Sequence, residues 1–176
     1  MSLPFFTVGH STRSRGEFIE LLSAAGVGLV ADIRTIPKSR TNPQFNRDAL
    51  PGALESAGIG YEHVAPLGGR RGRAKDVPSD LNGFWTNDSF HNYADYALSP
   101  AFRAGLDHLI EMGRAQRCAM MCSEAVWWRC HRRIVADHLM ARGEAVLHLM
   151  GHGRVEPARL TAGAVVRPDG SVVYPA

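Results

Sequence analysis

Residues 117–133 read RCAMMCSEAVWWRCHRR and hold all three cysteines of the chain, Cys118, Cys122 and Cys130. The run Cys118-Ala119-Met120-Met121 has the short, uninterrupted apolar character of a strand covered on both faces. It breaks at Cys122-Ser123-Glu124. Beyond Trp127 and Trp128 comes Arg129-Cys130-His131-Arg132-Arg133, and from there Ile134, Val135 and Leu139 recur on one helical face until Gly143. Strand, polar bend and helix in that order form the repeating unit of an open α/β sheet. The helix start matters chemically, because its unpaired N–H groups and partial positive charge attract anions and stabilise a thiolate placed there.

The same alternation extends outward in both directions. Residues 3–8 read as a buried strand. Ser14 with Glu17 three residues on makes a capping box, and Phe18, Leu21, Leu22 and Ala25 give the first helix its inward stripe. Residues 28–33 form a second strand. A helix follows on Leu50, Ala53, Leu54 and Ala57, with Pro51 as its first residue, and residues 59–67 form a third, weaker strand. Phe90, Tyr93, Ala94 and Ala97 mark a short helix. Ser99-Pro100 starts a longer one on Phe102, Leu106, Leu109 and Ile110. Residues 144–150 are a fifth strand, and residues 165–174 a hairpin closed at Asp169-Gly170. This pattern predicts a single α/β domain over residues 1–176: a three-layer αβα sandwich with a mostly parallel sheet and a short C-terminal β-hairpin. Its core spans residues 3–150 and its tail 151–176.

Composition narrows the function classes. The chain has 176 residues, 45% hydrophobic and 21% charged, with a net charge of +3. No apolar run approaches the ~18 residues of a membrane span, and no secretory leader is evident, so no membrane partner is expected. Three cysteines without a disulfide-scaffold spacing fit a reduced, cytoplasmic setting. Of the 20 basic residues 18 are arginines. Coding bias alone can produce that excess; the functional reading is two-pronged grip on phosphate or carboxylate.

Ligands of open α/β sheets bind beyond the carboxyl ends of strands, where strand order reverses. The polar clusters fall on such ends: His10 and Ser11 after the first strand, Asp32 and Arg34 at the second, Gly68-Gly69-Arg70 after the third, Cys122 and Glu124 at the fourth. With strand order 3-2-1-4-5, His10, Ser11, Cys122 and Cys130 share one crevice. Cys130 and Cys122 are then nucleophile candidates beside His131. Glu124, Asp32 and His10 are candidates for proton transfer, although carboxylates there also serve to hold arginines in place. Arg34, Arg40, Arg70, Arg129 and Arg132 make an anion grip, with Ser11 as cap or anion ligand and Gly68-Gly69 letting backbone N–H groups come close. Cys118, inside the strand, packs as a small hydrophobe. Of Trp127 and Trp128, one packs inward and the other faces the crevice. Cys122, Cys130, His131 and His10 could together offer four zinc-type ligands, but their spacing matches no common zinc pattern and arginines oppose a cation, so no metal is expected. Neither Gly-x-Gly-x-x-Gly nor a phosphate-loop Gly-Lys-Ser/Thr occurs, and no cofactor is expected.

Gly9-His10-Ser11, Asp32-Ile33-Arg34 with Pro37 and Ser39-Arg40, Leu67-Gly68-Gly69, and Cys122-Ser123-Glu124 with Cys130-His131-Arg132 resemble the domain-of-unknown-function 488 family. The resemblance runs from roughly residue 5 to 150. It implies a compact α/β protein suspected to be an enzyme, with no settled substrate.

The reading is an enzyme, hydrolase or transferase in type, acting on a phosphate-bearing or nucleotide-like substrate, or on a nucleic acid end. Two alternatives stand beside it. The Gly-Arg-Arg-Gly-Arg segment at residues 69–73 and a pI near 9.0 suit a nucleic-acid-binding module without turnover. A reversible Cys122–Cys130 disulfide would make the chain a thiol redox sensor. Oligomeric state leaves no trace in the sequence.

Overall fold

The computed structural model describes residues 2–176. In chain order these form β1 (Phe5–Gly9), α1 (Arg15–Ala24), β2 (Leu29–Asp32), α2 (Leu50–Glu55), β3 (Gly60–His63), α3 (Asp88–Tyr96), α4 (Pro100–Ala115), β4 (Cys118–Cys122), α5 (Arg132–Ala141), β5 (Val146–Gly151), β6 (Arg154–Pro157), β7 (Val165–Val166) and β8 (Val172–Val173). Short 3₁₀ turns lie at Pro43–Phe45, Ala65–Leu67 and Trp127–Arg129.

β1 through β6 make one sheet in the order β3-β2-β4-β1-β5-β6, parallel except that β6 runs against β5. β1, β2 and β4 are buried along their whole length, as strands covered on both faces must be. Alternate residues feed two cores. Phe5, Leu29, Ala31, Cys118, Met120 and Cys122 pack with α4 and α5. Phe6, Val8, Val30, Ala119 and Met121 pack with α1 and α2. This is the α/β sandwich expected, and the small antiparallel β7–β8 pair is the expected hairpin, with Gly170 at φ 84° in its turn.

The expected strand order requires one correction, because β4 and β1 exchange places. Both are five-residue apolar strands, and nothing in their pattern says which lies beside β2. The exchange puts β4 between β2 and β1, with Met121 level with Asp32 on one side and Cys122 level with Gly9 on the other. Chain leaving β1 or β2 enters helices on one face, while chain leaving β4 enters α5 on the other. The crevice opens on the β2 flank of Cys122, since on the other flank the chain after β4 crosses β1 and bonds to His10 and Ser11. The edge strand β6 was not expected. Its sequence, Arg-Val-Glu-Pro, is largely exposed and carries no apolar alternation. Charge and a proline are what an edge strand tolerates.

Helix starts follow their local chemistry. Ser14 and Glu17 make the reciprocal capping box of α1, and Ser99 accepts the Phe102 N–H at the start of α4. α5 differs: His131 at its N-cap makes no side-chain cap bond, and the Arg132 N–H points instead at the Cys130 sulfur, 3.4 Å away.

Gly9 ends β1 where the chain after β4 crosses it. A Cβ there would fall inside the Glu124 carbonyl. Replacing Gly9 by alanine is expected to push that loop outward and cost about 1–3 kcal/mol. The check is the urea midpoint of the variant; a midpoint equal to that of the parent would mean the crossing is loose.

Candidate functional site

Cys122 ends β4 and Cys130 immediately precedes the N-cap of α5, and their thiols share a hydrogen bond of 2.6 Å at the base of a cavity. Burial pushes the Cys122 thiol well above the ordinary range, and its hydrogen bond to Cys130 raises it further. Burial acts on Cys130 in the same direction. There it is outweighed by the Cys122 hydrogen bond and by Arg132, which bring the Cys130 thiol down to about 7. The pair thus shares one proton, held by Cys122, and carries one negative charge near neutral pH. Cys118 lies four residues back along the same strand, where burial pushes its thiol up to about 12.

Arg132 explains why the charge is tolerated. It is fully buried and, among the described residues, is in no salt bridge with a carboxylate. Nη1 reaches Cys122 Sγ (2.6 Å) and the Glu124 carbonyl (2.6 Å), Nη2 the Ala125 carbonyl (3.1 Å), and Nε the Thr7 hydroxyl (3.2 Å). A lone guanidinium in the interior costs several kcal/mol unless an anion accompanies it. The thiolate pair is the one anionic group among these partners. Expectation placed Arg132 on the substrate anion; its guanidinium instead faces inward and does not line the cavity.

The Thr7 hydroxyl accepts from Arg132 and lies 2.6 Å from His148 Nδ1. With a single proton to give, it donates to His148. Burial, aided by the Arg132 charge, lowers His148 to about 4, so it is a neutral acceptor at physiological pH. Thr7 thus fixes the direction of Nε. Replacing Thr7 by valine is expected to raise the pH midpoint of Cys130 alkylation from about 7 by roughly half a unit or more, while serine leaves it in place. An unchanged midpoint in the valine variant would separate Thr7 from the thiols.

His131 Nε2 lies 2.8 Å from the Ile33 carbonyl, which can only accept, so Nε2 carries the proton. Nδ1 then turns its lone pair toward Cys130 Sγ, 3.5 Å away. Burial lowers the pKa of this imidazole and keeps it neutral. Gly69 makes room for the ring, because a Cβ there would stand 2.5 Å from Nδ1. Gly68 packs against Thr35, and its N–H bonds to the Ala65 carbonyl. The two glycines were expected to admit an anion; what comes close is His131 and Thr35.

The cavity above the thiols measures about 780 Å³. Arg34, Lys38, Arg40, Arg70 and Arg129 line it against one carboxylate, Glu124. Asn87, Ser89 and Phe90 add the start of α3, and Cys130 and His131 the start of α5. Both helix starts present positive partial charge. Arg34 is held rigidly: Asp32 accepts from Nε (2.9 Å) and Nη2 (2.7 Å), and the Phe45 carbonyl accepts from Nη2 (2.8 Å). Tyr61 donates to the same carboxylate at 2.5 Å.

Of the residues expected in the crevice, Cys122, Cys130, Glu124, Arg34, Arg40, Gly69, Arg70, Arg129 and His131 line the cavity. His10, Ser11, Asp32, Gly68 and Arg132 do not. Asp32 is a brace for Arg34. His10 is buried, stacked on Phe45 at 4.4 Å, with Nδ1 bonded to the Ser11 carbonyl at 2.9 Å and Nε2 3.4 Å from Arg34. Ser11 sits at φ 47° in the turn after β1, and the cap of α1 is Ser14. The tryptophans also stay outside: Trp127 stacks on His148 at 4.6 Å and Trp128 faces solvent. The cavity's aromatic residue is Phe90. Thr35, Lys38, Asn46, Asn87 and Ser89 line the cavity without having been site candidates, and Ser39, named above only for the family resemblance, lines it too. Ser39 stands beside Arg40, and Asn87 has the signature of a helix cap. Among the described residues no group of three or more His, Cys, Asp or Glu is arranged to hold a metal ion, and no helix is long and apolar enough to cross a membrane.

The fold and this site define an open α/β protein with a thiol pair beneath a cation-lined cavity at the carboxyl edge of its sheet. The chain belongs to the family described as Domain of unknown function DUF488, whose profile matches residues 14–139. That span takes in Asp32 to Arg40, Leu67 to Gly69 and Cys122 to Arg132, and begins after Gly9-His10-Ser11. No curated protein and no solved structure matches the chain.

Proposed function

We propose that the cavity binds a phosphate-bearing, nucleotide-like anion and that Cys130 attacks it, in hydrolysis or group transfer. The observation that supports this reading is the convergence of five cationic side chains on a cysteine whose thiol is lowered to about 7. In the first step the Cys130 thiolate forms an S–P bond as the P–O bond to the leaving group breaks. The departing oxygen takes up a proton from water in the open cavity. In the second step water or another acceptor attacks phosphorus, the S–P bond breaks to restore the thiolate, and the Glu124 carboxylate takes the proton of the attacking group and passes it to solvent. His131 Nδ1 accepts from the Cys130 thiol while that is still protonated, and Arg34 and Arg40 hold the phosphate oxygens. A reducing compartment such as the cytoplasm suits a site that needs free thiols. The alternative of a nucleic-acid module has less support, since the cations converge in a cavity instead of spreading over a face.

Calorimetry with inorganic phosphate and a panel of nucleoside monophosphates tests the reading. Binding is expected at low salt, falling as salt rises, and Arg40→Ala and Arg70→Ala are each expected to weaken it about tenfold. Absence of binding by every phosphate compound at low salt would remove the anion from the account.

A further inference from the structure

The mechanism uses Cys130 and leaves Cys122 as a spectator, although its sulfur is already against that of Cys130. The two thiols also differ in kind. Cys130 belongs to the turn before α5, is lowered to about 7 and lies on the cavity floor. Cys122 is anchored at the end of the central strand and stays protonated. A reactive thiolate open to small molecules, next to a protonated thiol that can reach it, is the arrangement a reversible oxidation requires. Cys118 cannot compete, being four residues back along β4 at about 3.3 Å per residue.

We propose that Cys122 and Cys130 form a reversible disulfide that silences the site and, by removing the thiolate, raises its affinity for anions. The regulatory half of this proposal rests on the functional reading above; the disulfide itself does not. The oxidant is a hydroperoxide. The Cys130 thiolate attacks the peroxide, the O–O bond breaks, and with one proton taken up a sulfenic acid and a water (or alcohol) result. The Cys122 sulfur then attacks the sulfenic sulfur. The S–OH bond breaks, the hydroxyl leaves as water with the proton of Cys122, and a disulfide remains.

The consequence for anions follows from Arg132. In the reduced protein its charge is balanced by the thiolate, so the floor of the cavity is electrically quiet. A disulfide is neutral. Once it forms, the buried guanidinium has no counter-ion, and its field reaches the cavity a few ångströms away through a poorly screening interior. Any anion in the cavity then serves as that counter-ion. By linkage, a bound anion must also favour the oxidised state by the same factor. Oxidation would therefore hold the ligand while preventing its turnover.

The experiment treats the reduced, full-length chain with one equivalent of hydrogen peroxide and reads the intact mass, the free thiols and the linked peptides. The expected result is loss of two hydrogens, one cysteine left to alkylate once the oxidised chain is denatured (Cys118), a Cys122–Cys130 linkage, and full reversal by dithiothreitol. A stable sulfinic acid on Cys130 with Cys122 still free, or an unreacted pair, would overturn the disulfide. Calorimetry with inorganic phosphate on the two forms tests the coupling, with affinity expected to rise about tenfold on oxidation. Equal or weaker binding by the oxidised form would overturn it. If phosphate binds neither form while the disulfide still appears, the anion reading falls and the redox chemistry stands.

Discussion

Turnover of the phosphate substrate is expected to fall about a thousandfold or more in Cys130→Ser, while anion binding survives. A serine hydroxyl in the same place ionises far above neutral pH and supplies no ready electron pair. Cys130, by contrast, is half ionised at about pH 7. The cation lining is untouched, because the side-chain contacts of Cys130 run to Cys122, His131 and Arg132 and to none of Arg34, Lys38, Arg40 or Arg70. The variant also loses the thiolate that balances Arg132, so phosphate binding should hold or tighten. That combination, silent chemistry with intact binding, separates a nucleophile from a structural cysteine. The rate in the parent should rise with pH through about 7, since the active species is the deprotonated one. Undiminished turnover in the serine variant would take covalent thiol chemistry out of the mechanism.

Replacement of Arg132 by methionine is expected to cost about 3–5 kcal/mol of stability, read as a lowered denaturant midpoint. The loss has several parts. The Glu124 and Ala125 carbonyls and the Thr7 hydroxyl lose their donor in the interior, and the thiolate loses its counter-ion. The pair then takes up a proton, so the midpoint of Cys130 alkylation should climb from about 7 to the ordinary thiol range or above it. Arg132→Lys should fall between, because an ammonium keeps the charge but cannot reach a sulfur, two carbonyls and a hydroxyl at once. A methionine variant with unchanged stability and an unchanged thiol midpoint would show that the sulfurs carry no charge for Arg132 to balance.

Local signals carried much of the fold. The capping box of Ser14 and Glu17, the Ser99-Pro100 restart and the Asp169-Gly170 hairpin each occur where their residues demand. The order of β1 and β4 was illegible, because two equally apolar strands fit either central slot and the choice depends on pairing across the sheet. β6 was illegible for the opposite reason: an exposed edge strand need not alternate. At the site, position along the chain was readable but side-chain direction was not. Cys122, Cys130, His131, Arg34 and Arg40 fall at strand ends or in the loops after them, where an open sheet gathers its chemistry. Asp32 and Arg132 occupy the same ends and face away from the cavity. For Arg132 a signal existed. It precedes Val135, Ala136 and Leu139 by three, four and seven residues, so the inward stripe of α5 already included it. Gly69 could not have been read, since its need is set by an imidazole 62 positions later in the chain.

The inner position of β4 has one more consequence. Outer strands of a sheet open often and separately, so their amides trade hydrogen for deuterium through brief local fraying. β4 has β2 on one flank and β1 on the other, and helices over both faces. Its amides should exchange only when the whole molecule unfolds, which mounts Cys122 on the slowest-breathing part of the chain.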